Sequence, residues 1–338
     1  MTRSTRLKRL TRHLGRLGHL LGPAVLALGT SLALSHAPAA LAQSAAPASA
    51  AKELRIGYQK YGTLVILKAK GSLEKRLAPL GVAVKWTEFP AGPQLLEGLN
   101  VGSIDFGTTG EAPPIFAQAA GANLVYVGNE PPAPVAEALI VPKESPVKTV
   151  ADLKGKKVVL NKGSNTHYLL VKLLEKAGLK YSDVQVAFLP PADARAAFEA
   201  RQVDAWAIWD PFLAAAEKQI GAKVVADGSG VVPNHQFYLA ARPYAEARPD
   251  VVRIVLDELD KVDQWGKKNP AEVTALLAPQ LGLDPAIVDL AVRRYSYGVH
   301  PISDEVVAQQ QKVADVFHEL KLIPKPIRIG DVVWQPKK

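Results

Sequence analysis

The chain alternates between strand-like and helix-like patterns from residue 53 onward, and this alternation limits the fold more than any other feature. Residues 54–58 and 82–88 carry the branched and aromatic residues typical of strands, whereas residues 64–80 have the spacing of a helix. The same succession recurs over residues 157–240. Strands that alternate with helices form mostly parallel sheets covered by helices, so we expect an α/β fold with mixed, mostly parallel sheets.

Proline-rich stretches at 131–134 and 142–146 suggest where the chain passes between two lobes, because proline stiffens connections and ends helices. We place the crossover in the second stretch. The predicted division is a first lobe of residues 53–142, a second lobe of residues 143–241, and a largely helical return of residues 242–338 to the first lobe. Ligands of open α/β sheets bind at the carboxyl ends of strands, so a hinged cleft between the lobes is the expected binding site.

The first 42 residues have the three-part order of a secretory signal peptide. Residues 1–19 contain six Arg or Lys and no acid, residues 20–34 are apolar, and Ala40-Leu41-Ala42 fits the small-x-small cleavage pattern. We therefore expect cleavage after Ala42, a disordered lead-in over residues 43–52, and a periplasmic protein.

Charge and cysteine content exclude several classes of function. The whole chain has a net charge of +9, but six positive residues belong to the predicted signal peptide, which leaves +3 for the remainder. The other Lys and Arg are interspersed with acids, so nucleic-acid binding is not expected. The chain has no cysteine, which excludes disulfides, thiolate catalysis and an acylated N-terminal cysteine. We expect a free monomer.

Two hydroxyl-rich turns between a strand-like and a helix-like segment, residues 108–112 and 162–167, are candidate anion-binding turns. The start of a helix has unpaired backbone N–H groups and the positive end of the helix dipole, and both attract anions. One such turn is weak evidence, since Thr109 or Ser164 can serve only as a helix N-cap. Two turns in separate halves of the chain predict a small anionic group held from both sides.

The chain from about residue 53 to 335 resembles the periplasmic aliphatic sulfonate-binding proteins of ABC importers. Eight runs carry the resemblance: residues 56–60, 88–94, 100–105, 113–121, 149–155, 191–198, 203–211 and 238–245. The resemblance implies a type II periplasmic binding protein fold and delivery of a sulfonate to an inner-membrane permease with its ATPase, as a source of sulfur. Nitrate and taurine binders share this fold, and motifs such as Val101–Asp105 are common to that wider group.

The resemblance, joined to the two turns, predicts the ligand contacts. We assign the sulfonate head to the backbone of both turns, with added bonds from the hydroxyls of Thr109, Ser164 and Thr166. The residues assigned are Thr109, Gly110, Glu111, Ser164, Asn165 and Thr166. The carboxylate of Glu111 would repel an anion, so we expect it to turn away and complete the start of the following helix. Glu111 and Asn165 differ from the Asp and Ser familiar at these places in the family.

Residues near the predicted strand ends are candidates for the ligand tail. Trp209 offers an apolar wall or is an ordinary core residue, whereas Trp206 is expected in the core. Asp210 either caps the helix that follows Pro211 or accepts a hydrogen bond from the ligand tail. Gln59 is a further candidate, and Tyr61 is a weaker one at the rim.

Local motifs of enzymes, metal sites and cofactor sites are missing from the sequence. There is no Gly-x-Ser-x-Gly elbow, no dinucleotide fingerprint and no metal-ligand spacing around His167 or His235. We expect no catalytic residue, metal or cofactor. Two alternatives stay open: the same class of receptor with taurine, nitrate or another small oxyanion as ligand, and an exported two-lobed enzyme.

Overall fold

A computed structural model describes residues 52–335 of this chain. The predicted signal peptide, its cleavage after Ala42 and residues 43–51 of the lead-in lie outside the described residues. The described residues belong to one unit by their contacts, and their strands form two five-stranded sheets.

Each sheet takes its strands from separate stretches of the chain. The first sheet has the order β2-β1-β3-β10-β4, and the second has the order β7-β6-β8-β5-β9. The strands are β1 (Glu53–Tyr58), β2 (Ala83–Glu88), β3 (Phe106–Gly110), β4 (Leu124–Asn129), β5 (Glu137–Val141), β6 (Lys157–Leu160), β7 (Gln185–Phe188), β8 (Ala205–Trp209), β9 (Lys223–Asp227) and β10 (Gln236–Ala241).

One strand of each sheet runs against the other four. β10 pairs antiparallel with both β3 and β4, and β5 pairs antiparallel with both β8 and β9, while β1 and β6 pair parallel with their neighbours. The predicted α/β class with mixed, mostly parallel sheets is therefore confirmed.

The predicted lobe boundaries at 142 and 241 are wrong by one strand each. β5 precedes residue 142 but lies in the second sheet, and β10 precedes residue 241 but lies in the first. The chain crosses between the lobes at residues 130–136 and again at 228–235. The sequence pattern identified both strands but could not assign them to a sheet, because antiparallel partners distant in sequence leave no trace in local periodicity.

Helices cover both sheets. They are α1 (Thr63–Lys70), α2 (Ser72–Leu77), α3 (Gly92–Asn100), α4 (Ala112–Ala119), α5 (Asn165–Lys176), α6 (Pro191–Glu199), α7 (Phe212–Ile220), α8 (Arg242–Ala247), α9 (Pro249–Lys268), α10 (Pro270–Leu281), α11 (Pro285–Val292) and α12 (Asp304–Glu319). The single helix expected over 64–80 is interrupted at Gly71, whose φ of 61° is left-handed and ends α1.

The C-terminal helices pack mainly on the first lobe. Val251 and Leu259 of α9 and Val273 of α10 are fully or almost fully buried in one apolar cluster with Leu54 and Ile56 of β1. Two helices of the return also contact the second lobe. In α11, Ile287 and Ala291 pack against Ala214 and Ala215 of α7, and in α12 the ring of Phe317 lies 5.9 Å from that of Tyr168 in α5. The return thus ties the two lobes together.

A partly buried ion pair between Arg55 and Asp105 fixes the start of β3 against β1. Asp105 accepts hydrogen bonds from the backbone N–H of Arg55 at 2.9 Å and from its guanidinium Nε at 2.9 Å, and the backbone N–H of Asp105 donates to the Arg55 carbonyl at 2.7 Å. The Asp105 side chain is 8% exposed. β3 ends at Gly110 in the cleft. By fixing the start of β3, this pair therefore also fixes where Gly110 lies opposite the second lobe.

We expect Asp105→Ala to lower the free energy of unfolding by about 2–3 kcal/mol, because it removes charge-assisted bonds and leaves the Arg55 N–H buried without an acceptor. Asp289→Ala is the matched control, since Asp289 pairs with Arg293 at 2.8 Å on an exposed helix face. Such a pair contributes about 0.5 kcal/mol or less. Urea unfolding measures both, and equal losses would contradict the structural role of Asp105.

Candidate functional site

A cavity lies between the lobes at the carboxyl ends of the central strands. The first lobe contributes Gln59, Tyr61, Gly92, Gly110 and Pro113; the second contributes Ser164, Asn165 and Trp209; the second crossing and β10 contribute Asn234 and Gln236. Its volume of about 20 Å³ is small, on the scale of one water-sized group. Five of the nine predicted site residues therefore come together here: Gln59, Gly110, Ser164, Asn165 and Trp209.

Gly110 and Asn165 form the closest approach between the lobes at this cavity. A Cβ built on Gly110 would lie 1.8 Å from the Asn165 side-chain oxygen, far inside van der Waals contact. A larger residue at position 110 would therefore force the lobes apart or displace the amide. The need for glycine here arises from this approach and not from an unusual backbone angle.

The Asn165 amide is held by a chain of hydrogen bonds across the cleft. Its Nδ2 donates to Oδ1 of Asn234 at 2.5 Å, and Nδ2 of Asn234 donates to the Ala133 carbonyl at 2.8 Å. Asn234 lies on the second crossing and Ala133 on the first, so both crossings meet at this point. Asn234 adopts a left-handed φ of 52°, a conformation that asparagine tolerates better than most residues.

The start of α5 presents free donors to the cavity. The Ser164 hydroxyl donates to the Asn161 carbonyl at 2.7 Å and lies 2.9 Å from the Thr166 hydroxyl, so neither caps the helix. The backbone N–H of His167 donates to the Ser164 carbonyl at 3.0 Å, so the N–H groups of Asn165 and Thr166 are the donors left at the start of this helix. Thr166 is fully buried behind Ser164 and orients it without lining the cavity.

The start of α4 offers fewer donors than the sequence suggested. Thr108, Thr109 and Gly110 are the last residues of β3 and not a turn, and the Thr109 hydroxyl donates to the Gly110 carbonyl at 3.0 Å. Pro113 and Pro114 occupy the first turn of the helix and have no N–H. Thr109 therefore does not line the cavity, and most of the amide donors come from the second lobe.

The Glu111 carboxylate turns away from the cavity, but it does not complete the helix start as expected. Its Oε2 accepts a hydrogen bond from the backbone N–H of His235 at 3.3 Å, on the returning crossing. Burial raises the pKa of Glu111 to about 8. Burial also raises the pKa of Glu137 well above its usual range, with a further contribution from repulsion by Glu111. Protonation of these carboxyls removes charges that would repel an anion.

Trp209 lies at the end of β8 with 8% of its surface exposed, and its ring stands edge-on to that of Phe212 with centroids 6.2 Å apart. Gln59 donates from Nε2 to the Thr108 carbonyl at 3.1 Å, which fixes its amide between β1 and β3. Tyr61 packs edge-on against Tyr295 with centroids 4.7 Å apart. These three residues form one side of the cavity. Trp206, in contrast, is fully buried in the core of the second lobe, as predicted.

Asp210 is fully buried and does not line the cavity. Its Oδ1 accepts from the backbone N–H of Ala214 at 2.9 Å, and the same oxygen lies 3.4 Å from Nη1 of Arg294. Of the two roles that the sequence left open, this geometry matches capping of α7. Burial raises the pKa of Asp210 to about 7, while attraction to Arg294 opposes that shift.

Sequence reasoning missed Asn234, Gln236, Gly92 and Pro113. Asn234 and Gln236 were missed because the predicted lobe boundary placed β10 in the second lobe, whereas it lies in the first sheet. The available signal for Asn234 was its position in the turn-like stretch between the predicted strands that end near residue 226 and begin at residue 236. Gly92 and Pro113 entered the sequence analysis only within runs that carry the resemblance, yet a Cβ on Gly92 would lie 2.7 Å from the Pro113 ring.

The two histidines near the cleft are occupied by protein contacts. His167 Nε2 lies 2.8 Å from the Tyr181 hydroxyl, and His235 Nδ1 lies 3.0 Å from the Glu130 carbonyl. Within residues 52–335, no group of three or more His, Cys, Asp or Glu side chains is placed to hold a metal ion. The same described stretch contains no helix of the length and apolarity needed to cross a bilayer.

We expect Gly110→Ala to lower the free energy of unfolding by about 1–3 kcal/mol, because the new methyl group overlaps the Asn165 amide. In an Asn165→Ala background the same change should cost less than half as much, because the overlapping amide is gone. Gly330→Ala is the matched control, since a Cβ there meets no atom within 4 Å. Urea unfolding measures the free energy lost in each protein. Equal losses in the wild-type and Asn165→Ala backgrounds would show that the strain does not come from the Asn165 amide.

We expect Glu111→Gln to flatten the dependence of stability on pH. The pKa of Glu111 rises from 4.5 to about 8 on folding, so the folded state binds this proton more tightly. The stability that it contributes is complete below pH 4.5 and is lost as the pH rises toward 8, by on the order of a few kcal/mol. Urea unfolding from pH 5 to 8 measures this slope, with Glu319→Gln, at an exposed helix end, as control. An unchanged slope in Glu111→Gln would contradict the assignment.

Comparison with known proteins places the chain in a family. The NMT1/THI5-like family model matches residues 79–273. A protein of Escherichia coli (strain K12), provisionally assigned as an aliphatic sulfonates-binding protein, is 50% identical over 290 residues, which cover 85% of this chain and 90% of the relative.

Two solved structures agree with this placement. The alkanesulfonate-binding protein SsuA from Xanthomonas axonopodis pv. citri, bound to MOPS, is 44% identical with a TM-score of 0.79, over 84% of this chain and 98% of that chain. The periplasmic aliphatic sulphonate binding protein SsuA from Escherichia coli is 49% identical with a TM-score of 0.77, over 85% of this chain and 93% of that chain. This chain therefore belongs to the NMT1/THI5-like family and, within it, to the aliphatic sulfonate-binding proteins.

Proposed function

We propose that this protein is a periplasmic receptor that captures aliphatic sulfonates between its lobes and delivers them to an inner-membrane ABC permease with its ATPase. The observation that carries the proposal is the convergence of Gly110 from one sheet and Ser164 and Asn165 from the other on a single cavity. Membership of the sulfonate-binding family supports the same ligand.

The chemistry of the cavity suits a permanently charged monoanion. Among the described residues that line it, none carries a formal charge, and Ser164, Asn165, Asn234 and Gln236 supply hydroxyl or amide groups. A sulfonate keeps one negative charge and three acceptor oxygens at neutral pH, so converging neutral donors and the α5 dipole suffice to bind it. Neutral donors also avoid the cost of burying an unpaired cation when the site is empty.

Binding requires a small separation of the lobes. The cavity of about 20 Å³ holds roughly one water, and a sulfonate head is larger. To make room, the Asn165–Asn234 hydrogen bond must break and Gly110 must move away from Asn165. A ligand that replaces these contacts shifts the balance between open and closed lobes, and that balance lets a permease distinguish loaded receptor from empty receptor.

Export and a monomeric state belong to the same proposal. The three-part N-terminal pattern and the predicted cleavage after Ala42 support secretion, and the Escherichia coli SsuA relative is named as periplasmic. A freely diffusing monomer suits a carrier that shuttles between ligand and permease. We propose no catalytic role, because the relatives are named as binding proteins and the cavity presents no paired nucleophile and base among its described residues.

The burial of Asp210 argues against taurine as the preferred ligand. An ammonium group on the tail would need an accessible carboxylate, and Asp210 is fully buried beside Arg294. Nitrate is the remaining alternative within the class, since it fits a small neutral-donor cavity without a tail.

The deciding experiment is calorimetric titration of residues 43–338, refolded to strip bound ligand, with ethanesulfonate, taurine, nitrate and sulfate. We expect ethanesulfonate to bind most tightly. Binding of nitrate or taurine alone would keep the receptor but replace its ligand. If none of the four compounds binds, the proposed function is overturned.

We expect Asn165→Asp to weaken ethanesulfonate binding by at least about tenfold, because it places a carboxylate of nearly the same shape at the anion site. Asn100→Asp is the matched control, since Asn100 is exposed at the end of α3. The loss should shrink as the pH falls and the new carboxylate is protonated. Equal affinity of the Asn165→Asp protein and the wild type in calorimetry would remove Asn165 from the site.

A further inference from the structure

Two buried acids lie behind the cavity, one on each sheet. Glu111 directly follows Gly110 at the end of β3. Glu137 is the first residue of β5 and lies opposite Trp209 of β8 in the strand register. Gly110 and Trp209 line the cavity, although neither acid does. Glu111 is 1% exposed and Glu137 is fully buried. We call Glu111 and Glu137 the acid pair.

Three of the four carboxyl oxygens of the acid pair lack a partner. Oε1 of Glu111 and both carboxyl oxygens of Glu137 have no hydrogen-bond partner among the described residues. Oε2 of Glu111 accepts a bond of 3.3 Å from the backbone N–H of His235. A buried carboxylate needs a cation or several donors to offset its desolvation, whereas a protonated carboxyl does not carry that cost. The geometry therefore favours the protonated form of both acids.

Three side chains that face the acid pair carry no charge. Tyr168 of α5 faces Glu111, and Tyr61, which precedes α1, faces Glu137. Burial raises the pKa of both phenols above its ordinary value, so both stay neutral up to about pH 9. The amide of Asn165, at the start of α5, lies beside Glu137. None of these groups is a counter-ion for the pair.

Two further titratable groups near the acid pair are bonded to other partners. The His235 ring, on the second crossing, lies 3.0 Å from the Glu130 carbonyl and 3.0 Å from Oε1 of Gln309. Asp210 follows Trp209 and lies 3.4 Å from Nη1 of Arg294. The His235 ring and Arg294 are thus directed to other groups, and the acid pair is left to hold its own protons.

A bound anion would hold those protons more tightly. Burial raises the pKa of Glu111 to about 8, and burial together with repulsion by Glu111 raises the pKa of Glu137 well above its usual range. Glu111 therefore ionises first as the pH rises. An anion in the cavity places a further negative charge in front of the pair, and a like charge raises a carboxyl pKa. A group whose pKa rises on binding takes up a proton, and the affinity falls as the pH rises.

We propose that the protein takes up a proton from solvent when it binds a sulfonate, and that Glu111 and Glu137 are the positioning residues that hold this proton behind the anion site; this inference rests on the proposed function. The pair acts on the ligand through Gly110 and Asn165, which stand between it and the cavity. Binding is therefore tight while the pair is protonated and weakens when Glu111 ionises.

The first test is calorimetric titration of residues 43–338 with ethanesulfonate from pH 6 to pH 9. Ethanesulfonate stays ionised throughout, so any proton exchanged belongs to the protein. We expect the affinity to fall roughly tenfold, because with a pKa of about 8 only about one tenth of Glu111 is protonated at pH 9. Amine buffers are required, since sulfonate buffers would compete for the site.

The number of protons is measured by repeating the titration in Tris and in triethanolamine, whose ionisation enthalpies differ. We expect an uptake of about half a proton at pH 8 and close to none at pH 6, where the free protein already holds it. Both measurements use the unaltered protein, so they do not depend on whether a variant folds.

Glu111→Gln combined with Glu137→Gln then locates the proton, because glutamine has nearly the same shape but does not titrate. We expect this double variant to show no proton uptake and an affinity that varies by less than about twofold between pH 6 and pH 9. Glu144→Gln is the matched control, since Glu144 is an exposed acid of the same lobe as Glu137. It should keep the pH dependence and the proton uptake of the wild type.

The outcomes separate this inference from the proposed function. Ethanesulfonate binding without proton uptake and with equal affinity at pH 6 and pH 9 would overturn the inference, while the proposed function stands. Proton uptake that persists in the double variant would assign the proton to another group, such as Asp210, and would also overturn it. If ethanesulfonate binds at no pH, the proposed function and the inference are both overturned.

Discussion

The exchange of one strand between the lobes is the constraint on which the rest of the structure depends. β5 enters the second sheet and β10 enters the first, each antiparallel to its neighbours. The two crossings are therefore short and lie side by side, bridged by the bond from Asn234 to Ala133. Both sheets then present the carboxyl ends of their parallel strands to the same gap, which is where the cavity lies.

The close approach of Gly110 to Asn165 and the lack of formal charge on the lining residues define the chemistry of this gap. Gly110 admits the Asn165 amide because it has no side chain, and the amide in turn bonds to the crossing at Asn234. The carboxyls near the site, Glu111 and Glu137, are buried with raised pKa values. A site whose buried acids have raised pKa values and whose donors are amides and hydroxyls suits an anion without a buried cation. Because the pKa values of these carboxyls are raised in the folded state, the free energy of unfolding is expected to fall as the pH rises.

The cleft combines two kinds of surface. Near the centre of the sheets, Ser164 and Asn165 at the start of α5 line the small polar cavity. Beside it, Phe89, Trp209 and Phe212 line a larger and mostly apolar cavity of about 230 Å³. The ring of Trp209 borders both cavities. In the proposed function, contacts with the ligand tail separate sulfonates from nitrate, because recognition of the charge alone would not.

Much of the fold followed from local pattern. The alternation of strand-like and helix-like segments predicted the α/β class, and the turn before α5 placed Ser164 and Asn165 at a helix start. The local pattern gave wrong or missing predictions where the structure depends on contacts between residues far apart in the sequence. It did not show that β10 inserts between β3 and β4, so Asn234 and Gln236 were missed, and it could not show that the Thr109 hydroxyl turns to a carbonyl.

The sequence by itself determined the elements, the likeness to sulfonate-binding proteins and the predicted signal for export, because periodicity, turn residues and N-terminal composition are local properties of the chain. The tertiary structure decided which residues face the cavity and which acids are buried. These features depend on pairing and packing between segments more than a hundred residues apart, as Asn234 and Ala133 are. No local pattern records such distances.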